Sequence, residues 1–182
     1  AVTINIKQSK TPKSNIQALE EKLQEAGKTW QEKLSSALID SYEDGDKIVA
    51  LSERYMNAFP VSYTSRYRES QAVFDIEHVE EALDAGILGL ELYKPEDVGE
   101  RQLRVKIYNP AKPITLSDIM PILDHMGLRA ISELPFEIVP KEKQTVWIHD
   151  FLLEAPEIST KIAIEDVKKN FECAFTKIWY GE

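Results

Sequence analysis

RQLRVKIYNPAKPITLSDIMPILDHMGLRAISELPFEIV, residues 101–139, is the stretch in which every local signal points the same way. Leu103, Val105 and Ile107 alternate with Arg104, Lys106 and Tyr108, the period of a strand with one apolar face. Asn109-Pro110-Ala111-Lys112-Pro113 is a turn, stiffened by its two prolines. Thr115 offers an N-cap with Asp118 three residues on, a capping-box-like pair. Leu116, Ile119, Met120, Leu123 and Met126 recur at helical spacing until Gly127 supplies the stop. Pro121 falls inside that helix and removes a backbone hydrogen bond. Ala130, Leu134, Phe136 and Ile138 then return to a period near two. No reactive group stands out here, so the stretch is a scaffold.

Downstream, residues 142–144 form a charged turn and residues 145–153 a strand. Val146, Ile148 and Leu152 share one face of that strand; Trp147, His149 and Phe151 share the other. A last helix, near 164–180, carries Ile164, Val167, Phe171, Ala174, Phe175, Ile178 and Trp179. Upstream, Asp75 is placed to cap a short helix with Ile76, Val79, Ala82 and Leu83 inside, and Leu88, Leu90 and Leu92 begin another strand. Strands near 88–93, 101–108, 129–139 and 145–153, with helices near 115–127 and 164–180, give an α+β fold. From residue 101 the order β-α-β-β-α is that of a ferredoxin-like split βαβ unit lacking its last strand. Strand 88–93 can fill the vacant slot by hairpin pairing. The predicted antiparallel sheet therefore runs 88–93, 101–108, 145–153, 129–139, with Pro135 on an edge where no donor is missed.

Before this lies a helical region with three thin apolar stripes. Ile16, Leu19 and Leu23 make one; Trp30, Leu34, Ala37 and Leu38, after a Thr29–Glu32 cap, make the next. Ile48, Leu51, Tyr55 and Ala58 follow the Asp44-Gly45-Asp46 break, and residues 61–71 read as a polar connection. Such helices are marginal alone and need a surface to pack on. Residues 2–6 alternate like a strand that either pairs with the later sheet or, the favoured reading, ends a preceding domain or forms a linker strand. The expected division is 1–10, 11–74 as a helical connection, and 75–182 as the sheet domain.

Composition limits the function. The 182 residues carry 31 acidic and 22 basic side chains, a net charge of -9, which argues against a phosphate-backbone binder. One cysteine, Cys173, excludes an internal disulfide and fits a reducing cytoplasm. No apolar run is long enough to span a bilayer, and no secretory signal opens the chain.

Four phrases together resemble the large bacterial type of NAD-specific glutamate dehydrogenase: AFPVSYTSRYRESQAVFDIEHVEEAL (58–83), LRVKIYNPAKPITLSDIMPILDHMGLRAISELPFEI (103–138), TVWIHDFLL (145–153) and the final FECAFTKIWYGE. They occur in that family's order and cover the last two-thirds of the chain. The resemblance implies a non-catalytic, ACT-like regulatory or architectural region ahead of the dehydrogenase core. In such a parent, NAD is the hydride acceptor as glutamate is deaminated to 2-oxoglutarate and ammonia. It also implies a cytoplasmic, homo-oligomeric parent, whose other domains and subunits are this region's partners.

The residues themselves offer no catalytic, cofactor or metal site. The seven glycines include no G-x-G-x-x-G between a strand and a helix, so no NAD site of that kind is present. His78 with Glu81, and Asp124 with His125, read as solvated helix faces, since no third ligand has usable spacing. Cys173 reads as a packed or partly exposed thiol. ACT relatives place an amino-acid effector at the first strand-to-helix turn, often on a glycine. Here Asn109 and Lys112 are the polar residues of that turn, and its prolines remove donors. The remaining candidate is a docking face: Arg104, Lys106 and Tyr108, predicted to point away from the helices together with Trp147, His149 and Phe151. Either a subunit contact or the chain's own helices 14–58 can cover it. RNA stacking on those aromatics fits the acidic charge least.

Overall fold

The computed structural model describes residues 28–96, 98–155 and 164–181, so the strand expected at 2–6 and the helix expected at 14–27 lie outside the described residues. Four helices come first: α1 (Trp30–Ser41), α2 (Gly45–Tyr55), α3 (Val61–Thr64) and α4 (Glu69–Ala85). Next come β1 (Gly89–Tyr93), β2 (Gln102–Pro110), α5 (Leu116–His125), β3 (Arg129–Ile138), β4 (Val146–Glu154) and α6 (Ile164–Tyr180).

Local chemistry sets the helix ends. Thr29 and Glu32 close a reciprocal capping box on α1, the Thr29 N–H donating to Glu32 Oε2 at 2.6 Å. Asp44 caps α2 by accepting from the N–H groups of Asp46 and Lys47 at 3.0 and 3.2 Å. Thr115 takes the expected N-cap position of α5, but its side chain makes no cap bond. Asp75 caps nothing: α4 starts at Glu69, and Asp75 sits inside it, fully buried. Its carboxylate has partners across the layer that are stronger than its own backbone. The segment 61–71, read as a polar connection, instead holds α3 and the first turn of α4.

The strands form one sheet in the order β1-β2-β4-β3, every neighbour antiparallel, which is the predicted permuted order. β3 lies at an edge and carries Pro135. Register decides what each face carries, because residues opposite one another across an antiparallel pair share a face. Tyr108 pairs with Ile148, Lys106 with Asp150 and Arg104 with Leu152; Asn109 pairs with Trp147, Ile107 with His149 and Val105 with Phe151. Trp147, His149 and Phe151 therefore lie on the face opposite to Arg104, Lys106 and Tyr108. This corrects the expected six-residue surface: in a period-two element, one residue of register moves a whole row across the sheet.

Both faces are covered, giving three layers. Leu88, Leu92, Val105, Ile107, Phe151 and Leu153 pack with Ile119 and Leu123 of α5 and Phe175 of α6. On the other face Tyr108, Phe136, Ile138, Val146 and Ile148 pack with Leu34, Leu38, Leu51, Tyr55, Tyr63, Ile76 and Val79. The face carrying Arg104, Lys106 and Tyr108 is thus an interior, covered by the chain's own helices. Backbone bonds from Val139 N–H to the Ala58 carbonyl (3.0 Å) and from Lys141 N–H to the Arg54 carbonyl (2.9 Å) strap the layers together.

Gly127 ends α5 at φ +75° with open space around its Cα. Gly127→Ala is therefore expected to cost about 1 kcal/mol from left-handed strain alone, with no clash. A denaturation midpoint unchanged from wild type would contradict this.

Candidate functional site

The polar residues enclosed between helices and sheet form two matched clusters. Asp75 of α4 accepts from Lys106 Nζ at 2.8 and 2.6 Å, from the Tyr108 hydroxyl at 2.8 Å, and from the Tyr63 hydroxyl. Asp150 of β4 accepts from Arg104 Nε at 2.8 Å, from the Tyr93 hydroxyl at 3.1 Å, and from the Tyr67 hydroxyl. Each buried carboxylate thus has one cation and two phenols. The Lys106 ammonium also lies 4.5 Å from the centre of the Tyr67 ring, which joins the two clusters.

Burial first, then the neighbouring Asp75 carboxylate, pushes the Tyr63 and Tyr108 hydroxyls far above the usual tyrosine range. Burial and Asp150 do the same for Tyr67 and Tyr93. All four phenols remain proton donors at physiological pH. Two cations balance two carboxylates, and among the described residues no buried side-chain nitrogen or oxygen lacks a partner. Saturated groups offer a substrate nothing to hold, so the arrangement is a fastening and not a reaction centre.

The turn where an amino-acid effector would sit is equally closed. Pro110 and Pro113 have no N–H to give. The N–H of Ala111 donates to the Thr145 carbonyl at 2.8 Å and that of Lys112 to the Pro110 carbonyl at 3.0 Å. The Ile114 N–H donates to His149 Nε2 at 3.0 Å, and Asn109 Nδ2 is spent on the Lys112 carbonyl at 2.8 Å. Ala111 takes the left-handed conformation, φ +75°, a region that favours glycine. The turn uses its donors internally.

His149, expected on an open face, is 2% exposed. Because Ile114 donates to its Nε2, the ring proton sits on Nδ1 and is donated to Glu133 at 2.7 Å. One neutral ring satisfies both contacts.

A third polar group sits at β1, the outermost strand among the described residues, in a groove of about 390 Å³ between α4 and α6. Glu91 meets Lys168 Nζ at 2.5 Å and His78 Nε2 at 3.3 Å. His78 is not the solvated residue its sequence context implies; its side chain is 17% exposed and its ring stacks 5.1 Å from Tyr108. Burial pushes its pKa down, but the hydrogen bond and charge of Glu91 outweigh this and leave it raised. Glu172 of α6 accepts from the Leu92 N–H at 3.2 Å, and burial raises its carboxyl above the usual range. Cys173 is exposed on the same helix. No group of three or more metal-ligating side chains occurs among the described residues. The pairings of Asp75, Asp150 and Glu91 are not legible in sequence, because each acquires its partners from distant segments.

Two sequence families match the chain. The glutamate dehydrogenase ACT3 domain matches residues 87–167, and the second helical motif of glutamate dehydrogenase matches residues 37–82. The chain is 33% identical over 168 residues to an NAD-specific glutamate dehydrogenase of Halomonas elongata, covering 92% of this chain and 10% of that protein. It is 30% identical over 175 residues to that of Pseudomonas aeruginosa, covering 94% of this chain and 11% of the relative. For the Mycobacterium tuberculosis protein of the same name, identity is 27% over 166 residues. The chain therefore spans about a tenth of the length of these relatives.

Lys106→Met is expected to cost about 3–5 kcal/mol, because it strands a buried aspartate with only phenol donors. Combined with Asp75→Asn it should cost less than the two single changes summed, by roughly 0.5–3 kcal/mol. Urea denaturation of the four proteins measures this coupling. Strict additivity would show that the pair is not the fastening described.

Proposed function

Since the chain belongs to the NAD-specific glutamate dehydrogenase family, as a non-catalytic segment containing its ACT3 domain, we propose that its own task is architectural. It holds a helical layer rigidly on an ACT-like sheet and so passes movement or force between other parts of the parent enzyme. The observation that carries this reading is the saturated Asp75–Lys106 fastening on the sheet face that sequence alone left open for docking. In the parent, NAD would accept hydride as glutamate is deaminated to 2-oxoglutarate and ammonia, with that chemistry supplied by residues outside this chain. Homo-oligomeric assembly, contacts to the other domains and a cytoplasmic setting belong to the same proposal. Among the described residues no helix is long and apolar enough to cross a membrane.

A second reading, an amino-acid-sensing module, draws on the left-handed Ala111 at the ACT ligand turn. The internal use of every available N–H from residue 111 to residue 114 weighs against it. The acidic surface likewise disfavours an RNA-binding sheet, whose stacking face is the one covered by α1–α4. Titration calorimetry of the chain with glutamate, aspartate, arginine and NAD separates the readings. No saturable heat is expected with any of the four. Saturable heat with an amino acid at micromolar concentration would replace the architectural reading with the sensor.

A further inference from the structure

The buried His149 and the half-buried His78 are wired differently, and the difference has a chemical consequence. His149 receives an N–H at one ring nitrogen and faces a carboxylate at the other, so a single neutral tautomer satisfies both. His78 faces two acceptors. Its Nδ1 lies 3.0 Å from the Phe74 carbonyl and its Nε2 lies 3.3 Å from Glu91 Oε2. A carbonyl can only accept, so Nδ1 must carry a proton. In a neutral ring Nε2 would then present its lone pair to a carboxylate, an opposed contact in a half-buried place. Only the imidazolium donates to both.

We propose that His78 is a proton-operated latch: with two protons it ties α4 to the edge strand β1, and on losing one it must surrender the Phe74 or the Glu91 contact. The proposal stands whichever of the two functional readings holds. The latch is part of a longer chain of contacts. Glu91 is shared with Lys168, so the latch spans α4, β1 and α6 across the outer edge of the sheet. The face of the His78 ring lies against Tyr108, whose hydroxyl binds the Asp75 carboxylate of the fastening. The ring therefore connects the exposed edge to the buried network.

The charged and titratable groups around the ring set its working range. On α4 they are Glu81 and, one turn earlier, Asp75; β1 contributes Glu91 and β2 contributes Tyr108. α6 contributes Lys168 and Glu172 at the groove. The carboxylates favour the charged ring and Lys168 opposes it. Because folding raises the affinity of His78 for its second proton, the latch adds most stability below the ordinary histidine value of about 6.5. That contribution is lost as pH climbs through the raised folded-state value. Glu91, held below the usual carboxylate range against its burial by His78 and Lys168, keeps its charge throughout the change.

Long-range proton–nitrogen NMR of the ¹⁵N-labelled chain, titrated from about pH 5 to 9, reads the ring directly. His78 is expected to titrate above the ordinary value. Glu91→Gln should lower the His78 midpoint and Lys168→Met should raise it, a pair of opposite shifts that a purely packing role would not give. The stability advantage of wild type over His78→Phe should shrink as pH rises past neutral. A His78 that titrates below the ordinary value, or a neutral Nε2-protonated ring seated against Glu91, would overturn the latch. Equal midpoints in the Glu91→Gln and Lys168→Met chains would overturn it too.

Discussion

A lysine buried on a central strand constrains everything around it. Lys106 is fully enclosed on β2, and an ammonium can be taken from water only if an acid and further acceptors are brought to it. The acid comes from α4, across the layer, so the helix must lie where Asp75 reaches the strand. Asp75 then has lone pairs to spare, and Tyr63 and Tyr108 supply donors for them. The same arithmetic repeats at Asp150 with Arg104, Tyr67 and Tyr93. Apolar burial supplies the bulk of the attraction between the layers but is indifferent to small slides. The charged pairs are not, and they choose the one seating of α4 that the sheet allows.

This seating joins two regions that match separate sequence families. Asp75 lies in the part matching the helical motif, residues 37–82, and Lys106 in the part matching the ACT3 domain, residues 87–167. Gly89 shows the same fit at the level of backbone. A Cβ there would already touch Tyr108 and Ala82 at 3.5 and 3.6 Å, so a larger side chain would lift α4 off β1. An ACT-like sheet with helices on one side leaves its other face for a partner. Here the partner is continuous with the chain.

Period and punctuation made much of this legible in sequence. Alternation at Leu103, Val105 and Ile107, the Thr29–Glu32 capping box and the glycine stops gave the elements, and the missing last strand gave the sheet order. What could not be read was register. Val146 and Ile148 on one face and Phe151 and Leu153 on the other are all buried, so β4 carries apolar groups on both sides and has no polar row to orient it. Alternation alone therefore does not tell which face carries Trp147, His149 and Phe151. Asp75 was mistaken for a cap because an aspartate ahead of an apolar run looks the same whether it serves its own helix or a lysine 31 residues on. Long-range charge pairing leaves no mark at short range.

Saturation also limits how such a segment can influence a larger enzyme. A site that recognises a ligand needs donors or acceptors left over, and in the described structure the sheet face and the strand-to-helix turn have spent theirs. Interiors this closely tied transmit displacement as a body instead of absorbing it locally. Any signal that changes the segment must then enter where a contact exists in two states. The fastening at Asp75 does not qualify, since its phenols are held protonated by burial and by the neighbouring carboxylate. The outer edge of β1 does: there one carboxylate, Glu91, is shared by a lysine and a histidine, within reach of solvent. Rigidity at the centre and a titratable contact at the rim are complementary, because a displacement at the edge reaches the far side only if the middle does not yield.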